Sequence, residues 1–138
     1  MSDVIETLSK EGLTISVSRS ARGGVTIRWT GVSDARQPEL VLGPFMKRLA
    51  RDFKGEVVTI DFSAFEYMNS ATVSPIIQFI RMLDAGDTPT VLLYDTNVAW
   101  QRVNFMCMKA IARTLKHVEV RGSSSPPPPP SGPTSSQR

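Results

Sequence analysis

Two short stretches near the start of the chain alternate apolar and polar residues at every second position. They are LTISVS (13–18) and GVTIRWT (24–30), and the segment RSARGG between them ends in two glycines. Alternation with period two is typical of strands that bury one face, and paired glycines supply the positive φ angles of a tight turn. The pattern therefore predicts two antiparallel strands.

Apolar residues at three- and four-residue steps predict helices in two stretches. The first is GPFMKRLARDF (43–53), where Pro44 would occupy the first turn, a position that tolerates its missing N–H. The other helix covers about 98–114 and follows three polar residues, 95–97, that offer caps.

A further helix begins within the stretch FEYMNSATVSPIIQFI (65–80) and stops before Gly86. Its start is expected near Ala71 or Thr72, because a start there leaves Pro75 in the tolerant first turns. Three β-branched or apolar runs bounded by turn residues predict strands: EVVTIDF (56–62), TVLLYD (90–95) and HVEV (117–120), the last at a sheet edge. The order is ββαβαβαβ, which predicts an α/β fold with a mixed β-sheet and helices packed against it.

Composition separates the chain into one domain and a tail. With 138 residues and 41% hydrophobic content, the chain suits a single core, which we assign to residues 1–122. Residues 123–138 are mainly serine, proline and glycine, and their run of five prolines favours polyproline II. We expect a disordered spacer tail; a docking segment for a proline-recognising domain is the alternative.

Charge and single reactive residues exclude several classes of protein. Sixteen Lys and Arg against 13 Asp and Glu give a net charge of +3, which is too small an excess to indicate nucleic-acid binding. The start of the chain lacks a signal-peptide pattern and no apolar run is long enough to span a bilayer, so we expect a cytoplasmic protein that does not bind membranes. The lone Cys107 and His117 form no disulfide or zinc set and are predicted to be packing residues.

Two aspartates at predicted strand ends, Asp61 and Asp95, raise the question of catalysis. An aspartyl phosphorylation site would need an acidic cluster after the first strand, where the sequence is basic, and a hydrolase would need a base near a nucleophile. We therefore expect both aspartates to bond to loop backbone. Glycine-rich phosphate motifs are missing too, and the sequence predicts a protein without catalytic residues, cofactor or metal.

The predicted third helix carries two features with two interpretations each. Four cations at helical spacing form either a docking stripe or a solvated face: Arg102, Lys109, Arg113 and Lys116. Two aromatic residues, Trp100 and Phe105, belong either to the core or to a partner groove.

A cluster of hydroxyl residues, Ser70, Thr72 and Ser74, stands at the entrance of the predicted second helix. Free N–H groups and the positive end of the helix dipole stabilise a phosphate there, so a hydroxyl can serve as a reversible charge switch. A neutral hydroxyl at the same place can also act only as a cap, contributing about 1 kcal/mol. Both interpretations remain open from the residues alone.

From about Leu13 to Gly122, the element order and the MNSATVSPII entrance resemble the STAS domain, the fold of bacterial anti-sigma factor antagonists. In that family an Asp-Ser-[Ser/Thr]-Gly motif opens the second helix, and its second hydroxyl residue is phosphorylated. The corresponding positions here are Asn69, Ser70, Ala71 and Thr72, so an alanine stands at the usual acceptor position. YMNS and DTNVAWQ are also similar to a divergent subgroup of STAS-like regulators of kinase and phosphatase switches.

The resemblance implies a non-enzymatic bacterial regulator in a partner-switching pathway. Its expected partners are an anti-sigma-type serine/threonine kinase or related switch protein and a phosphatase, with Ser70 or Thr72 as the substitute phosphorylation site. The predicted docking surface covers the entrance turn and an exposed side of the second helix: Asn69, Ala71, Ser74, Gln78, Phe79 and Met82. For Phe79 and Met82 the alternative is packing under the third helix. The alternative is a small-ligand sensor that holds a nucleotide or lipid at the strand ends, which an apolar cleft with converging polar groups would favour.

Overall fold

The computed structural model describes residues 2–21 and 23–124, with Ser2 described in its backbone only. These residues form seven strands and three helices in the following order: β1 Ser2–Lys10, β2 Leu13–Ser20, β3 Val25–Ser33, α1 Glu39–Asp52, β4 Val58–Asp61, β5 Phe65–Met68, α2 Ser70–Ala85, β6 Thr90–Asp95, α3 Ala99–Ala112 and β7 Val118–Ser123.

The strands form one mixed sheet in the order β1-β2-β3-β4-β6-β7, and β5 pairs with β3 beyond the end of β4. The pairs β1–β2 and β2–β3 are antiparallel, whereas β3, β4, β6 and β7 are parallel. Helix α2 packs beside α1, and α3 packs on β6 and β7. The predicted α/β class, a mixed sheet with helices packed against it, is confirmed.

The predicted antiparallel pair is β2 and β3, joined in a register that places Ile15 opposite Trp29. The strand β1 on their outer side was not predicted. Its Val4 and Ile5 are exposed, and a bulge interrupts the pairing between Val4 and Glu6. An edge strand with few buried side chains carries little period-two signal, which explains the omission.

The strand β5 was also missed, although it positions the entrance of α2. It pairs with the end of β3, with Gly31 opposite Phe65 and Ser33 opposite Met68. Since Phe65 and Met68 are buried at its two ends, this four-residue strand ties the entrance turn to the sheet.

Two predicted helix starts are wrong, and both involve proline. Helix α1 begins at Glu39, so Pro44 is its sixth residue rather than part of its first turn. Helix α2 begins at Ser70, not at Ala71 or Thr72, which makes Pro75 an interior residue as well. Each proline removes one helical hydrogen bond near the N-terminal end, and the packing of both helices against the core offsets this loss.

The core next to the entrance turn is aromatic. The rings of Trp29 and Phe62 lie 5.2 Å apart, and those of Phe62 and Phe105 lie 4.8 Å apart. Phe105 is fully buried, so of its two predicted positions, the core and a partner groove, it occupies the core.

Two further expectations concern the chain as a whole. In residues 2–21 and 23–124, no helix is long and apolar enough to cross a membrane.

The predicted boundary after Gly122 falls inside β7, because Ser123 is the last strand residue and its carbonyl accepts a hydrogen bond from the Thr96 N–H at 3.1 Å. The rest of the predicted tail, from residue 125 onward, lies outside the described residues.

Candidate functional site

Asn69 is the N-cap of α2 and fixes the entrance turn. Its side-chain oxygen accepts a hydrogen bond from the Thr72 N–H at 3.1 Å, as expected for a cap. Its Nδ2 donates to the Ala35 carbonyl at 2.8 Å, and its backbone N–H donates to the Ser33 carbonyl at 2.9 Å. The same residue thus caps α2 and anchors the segment that connects β3 with α1.

Thr72 lies beneath this turn and is fully buried. Its hydroxyl is 2.7 Å from the Asn69 amide oxygen and 2.7 Å from the Ser33 hydroxyl. Thr72, the second of the two possible phosphorylation sites, is thus tied into the first turn: its side chain is enclosed and both of its hydrogen-bonding roles are in use. Its position is that of a structural residue.

The two other hydroxyl residues of the cluster face solvent. Ser70, the first residue of α2, and Ser74, one turn later, are both exposed, while Ala71 between them is half-buried. Ser70 thus combines exposure with a place at the positive end of the α2 dipole, where a negative group is stabilised. Among the three hydroxyl residues, it alone is both exposed and the first residue of the helix.

The exposed side of α2 is polar, not apolar. Gln78 is exposed as predicted, but Phe79 is only 1% exposed and Met82 packs partly against the core. The prediction that Phe79 lies on an interface is wrong, because α2 is covered by α1 as well as by the sheet and so buries a wider arc than a single stripe. The exposed positions of α2 are polar or small: Ser70, Ser74, Gln78, Arg81 and Ala85.

Several exposed apolar side chains lie on β5 and α3, and others lie singly or in pairs elsewhere: Val4, Ile5, Leu40 and Val57. Tyr67 is 48% exposed, Val103 65% and Met106 62%. The half-buried Trp100 connects them, since its ring lies 6.4 Å from that of Tyr67 and it shares a helix face with Val103, three residues later. We call these four residues the β5–α3 surface. Large apolar groups exposed together in this way are typical of interaction sites.

A buried glutamine, Gln101, holds α3 in place and was not noticed in the sequence. Its Oε1 accepts from the Asp95 N–H at 2.8 Å, and its Nε2 donates to the carbonyls of Phe62 and Phe65 at 2.8 and 2.9 Å. One side chain therefore joins the end of β6, the residue that follows β4 and the start of β5. Its only sequence signal is a polar residue one position after Trp100 in an amphipathic helix, and that pattern does not distinguish a buried position from an exposed one.

The two strand-end aspartates bond to their own loops, as expected. Asp61 accepts from the N–H and hydroxyl of Ser63 at 2.9 and 2.6 Å and pairs with Arg28 at 3.1 Å. Asp95 accepts from the Asn97 N–H at 2.9 Å. The predicted capping of the third helix by residues 95–97 is wrong, because Val98 is its N-cap and makes no side-chain cap bond. Within the described ranges, no three His, Cys, Asp or Glu side chains are grouped so that they could hold a metal ion.

The cations predicted for the third helix are solvated but do not form one helical stripe. Helix α3 ends at Ala112, so Arg113 caps it and Lys116 lies beyond it, although all four cations are exposed. Cys107 is also exposed, so its predicted packing role is wrong. The Nε2 atom of His117 lies 3.1 Å from the Oδ1 atom of Asp87.

A pocket of about 170 Å³ opens at the carboxyl end of β3, between the β1–β2 turn and the start of α1. Its wall includes Ser33, Asp34 and Ala35, the segment that Asn69 and Thr72 bind, together with apolar side chains such as Leu13 and Val41. Most small-molecule sites occupy roughly 300–1,000 Å³. This pocket is smaller, so it gives little support to a nucleotide or lipid site.

No protein-family model matches the chain, and no curated protein sequence does. Solved structures do. SiaC of Pseudomonas aeruginosa is 13% identical with a TM-score of 0.54, over 86% of this chain and 98% of that chain. A chain in the crystal structure of the P. aeruginosa diguanylate cyclase SiaD in complex with its activator SiaC is 12% identical with a TM-score of 0.56, over 86% and 99%. Apo-SiaC from the same organism is 11% identical with a TM-score of 0.52, over 86% and 98%. These similarities confirm a STAS-like fold and, at such low identity, show the fold alone.

Proposed function

We propose that this chain is a non-enzymatic bacterial regulator that acts by binding other proteins in a partner-switching pathway, similar to an anti-sigma factor antagonist. Its proposed partners are an anti-sigma-type serine/threonine kinase or related switch protein, and a phosphatase that resets it, all in the cytoplasm. The observation that carries the proposal is the exposed Ser70 at the N-terminus of α2, held in a fixed turn by the cap of Asn69.

The position of Ser70 suits a charge switch for electrostatic reasons. A phosphate adds close to two negative charges, and the N-terminal end of a helix stabilises negative charge through its free N–H groups and dipole. The fold therefore tolerates the modification, while a partner surface that had fitted a neutral serine meets a new charge. Thr72 would have to leave the interior first, which makes it the weaker of the two candidates.

The proposed docking surface is narrower than the sequence predicted. It comprises the turn at Asn69 and Ala71 and the exposed side of α2 at Ser74 and Gln78, and it leaves out the buried Phe79. Met82 contributes only through its exposed part. The fold supports a binding role because SiaC, which has the same fold, forms a complex with the cyclase that it activates.

The test uses the full chain isolated from its own cells. Phosphate on Ser70, together with loss of kinase binding by Ser70→Asp and retained binding by Ser70→Ala, is the expected result. Thr7→Asp is the matched control, because Thr7 is exposed on β1, outside the proposed docking surface. If no phosphate occurs between residues 69 and 74 and all three variants bind like the unmodified protein, the charge switch is wrong. If the partner recovered is not a kinase or a phosphatase, the assigned pathway is wrong.

A further inference from the structure

The chain ends in a segment whose chemistry matches an exposed surface of its own domain. Residues 126–130 are five consecutive prolines, which favour the extended polyproline II conformation. Proteins bind such segments in shallow grooves lined by aromatic side chains, because the rigid proline helix loses little entropy on binding. The β5–α3 surface presents Tyr67 and Trp100 with their rings 6.4 Å apart and tilted by 58°.

The last described residue, Ser124, lies beside the loop that leads into α3, the helix that carries part of this surface. The last strand, β7, pairs with β6 up to the end, with Asp95 opposite Ser123. The hydroxyls of Thr96 and Ser124 lie 3.1 Å apart, so the chain leaves the described domain beside the loop that leads into α3. Trp100 follows Thr96 by four residues and is therefore at most about 15 Å from it, since consecutive Cα atoms are about 3.8 Å apart.

The length of the segment fits this distance. Polyproline II rises by about 3.1 Å per residue, so five prolines extend over roughly 15 Å. Ser125 connects the last described residue with the first proline. The prolines can thus reach Trp100 and Tyr67 without displacing any part of β7.

The exposure of the surface also needs an explanation. Val103 and Met106 are more than three-fifths exposed, at 65% and 62%, although the neighbouring positions Phe105 and Met108 are fully buried. Proline is uncharged and apolar, so covering these side chains and the Trp100 ring with it removes apolar area from water without burying a charge.

We propose that the polyproline segment 126–130 binds the β5–α3 surface of its own molecule. The prolines stack on Tyr67 and Trp100, and the indole N–H of Trp100 can donate to a proline carbonyl. Binding of this kind is independent of the proposed kinase partner, because it needs only the tail and the surface. A protein that uses the same surface has to displace the tail first.

The first test compares full-length chains by NMR. Replacing all five prolines with serine should shift the indole N–H signal of Trp100 and the amide signal of Val103, while the single change Pro133→Ser, outside the run, should leave them unchanged. The buried Trp29 is the internal reference. In the background of Tyr67→Ser, a substitution at a half-exposed site, replacing the prolines should shift these signals much less. Identical spectra for the proline-free and unmodified chains would contradict the inference.

A second test measures proximity and uses the chain's single cysteine. Cys107 is exposed on α3, one turn after Val103 and two turns after Trp100, so a nitroxide attached there lies on the side of the proposed site. The NMR signals of the tail residues next to the prolines should broaden, because the nitroxide lies close to them. A nitroxide on the distant α1, through Lys47→Cys in a Cys107→Ser chain, should leave them sharp. If broadening appears only when labelled and unlabelled copies are mixed, the tail binds a second copy and the intramolecular inference is wrong.

Discussion

The hydroxyl groups of Ser33 and Thr72 lie 2.7 Å apart and join the end of β3 to the first turn of α2. The amide oxygen of Asn69 accepts only, so the Thr72 hydroxyl donates its proton there and accepts from Ser33. Thr72 and Ser33 are both buried. This chain of hydrogen bonds makes the entrance turn a rigid part of the domain and leaves Ser70 alone on its outer side.

A negative charge should have opposite effects at the two hydroxyl positions. Thr72→Asp places a carboxylate among buried groups and next to the Asn69 oxygen, so we expect a loss of about 3 kcal/mol in the free energy of unfolding. Ser70→Asp should change it by less than about 1 kcal/mol, in the stabilising direction, because the charge lies at the helix N-terminus. Denaturant unfolding measures both, and Thr72→Ser is the control that keeps the hydroxyl. Equal losses for the two aspartate variants would show that the turn is more open than described.

The two bonding roles of Asn69 can be separated by substitution. Asn69→Asp keeps the oxygen that caps Thr72 but loses the N–H that binds the Ala35 carbonyl, whereas Asn69→Ala loses both. We expect Asn69→Ala to lower the free energy of unfolding by about 2 kcal/mol, at the upper end of the range for a lost cap. Asn69→Asp should lower it clearly less. Denaturant unfolding of the two variants checks this order. If aspartate were as harmful as alanine, the bond to Ala35 would matter more than the cap.

Phe79 should behave as a core residue. Phe79→Ala removes a ring that is 1% exposed, so it should lower the free energy of unfolding by about 3–5 kcal/mol. Gln78→Ala, one position earlier and exposed, should change it by less than about 0.5 kcal/mol. Thermal or denaturant unfolding of both variants measures the difference. A small loss for Phe79→Ala would instead support the interface position that the sequence predicted.

The sequence predicted those elements whose periodicity follows from burial on one side. The alternation of β2 and β3 and the apolar run of β6 correspond to strands with buried residues at every second position. The strands β1 and β5 were missed because little of either is buried: β1 is an edge strand, and β5 buries only Phe65 and Met68 of its four residues. The strand β5 also depends on pairing with β3, which is distant in sequence, and a local pattern does not contain that pairing.

The candidate site was located but not resolved from the sequence. The cluster at 69–74 was found through its hydroxyl groups and the resemblance to the STAS motif, and the structure does place it at a helix entrance. Which hydroxyl faces solvent depends on where α2 begins, and the presence of Pro75 moved the predicted start one or two residues too late. The burial of Phe79 depends on the position of α1, and the periodicity of α2 alone does not reveal a neighbouring helix.

Gln101 gives the sharpest test of how the β5–α3 surface is held. Its side chain satisfies three backbone groups, those of Phe62, Phe65 and Asp95, and it is fully buried. Gln101→Leu fills similar space but removes the hydrogen bonds to all three groups, and of these the Phe62 carbonyl keeps a second donor, the Phe65 N–H at 3.0 Å. We therefore expect a loss of about 3 kcal/mol in the free energy of unfolding, which comes mainly from the Asp95 N–H and the Phe65 carbonyl. Gln101→Glu can still accept from Asp95 but brings a carboxylate to two carbonyls, and it should be similarly harmful.

Hydrogen exchange adds a local measurement to this prediction. The amide of Asp95 should exchange faster in Gln101→Leu than in Gln101→Glu, because only glutamate keeps an acceptor for it. Lys109→Ala, an exposed change on the same helix, is the control and should alter neither stability nor exchange. If Gln101→Leu were as stable as the unmodified protein, the three backbone groups would have to find other partners, and the start of α3 would not depend on Gln101 for its position.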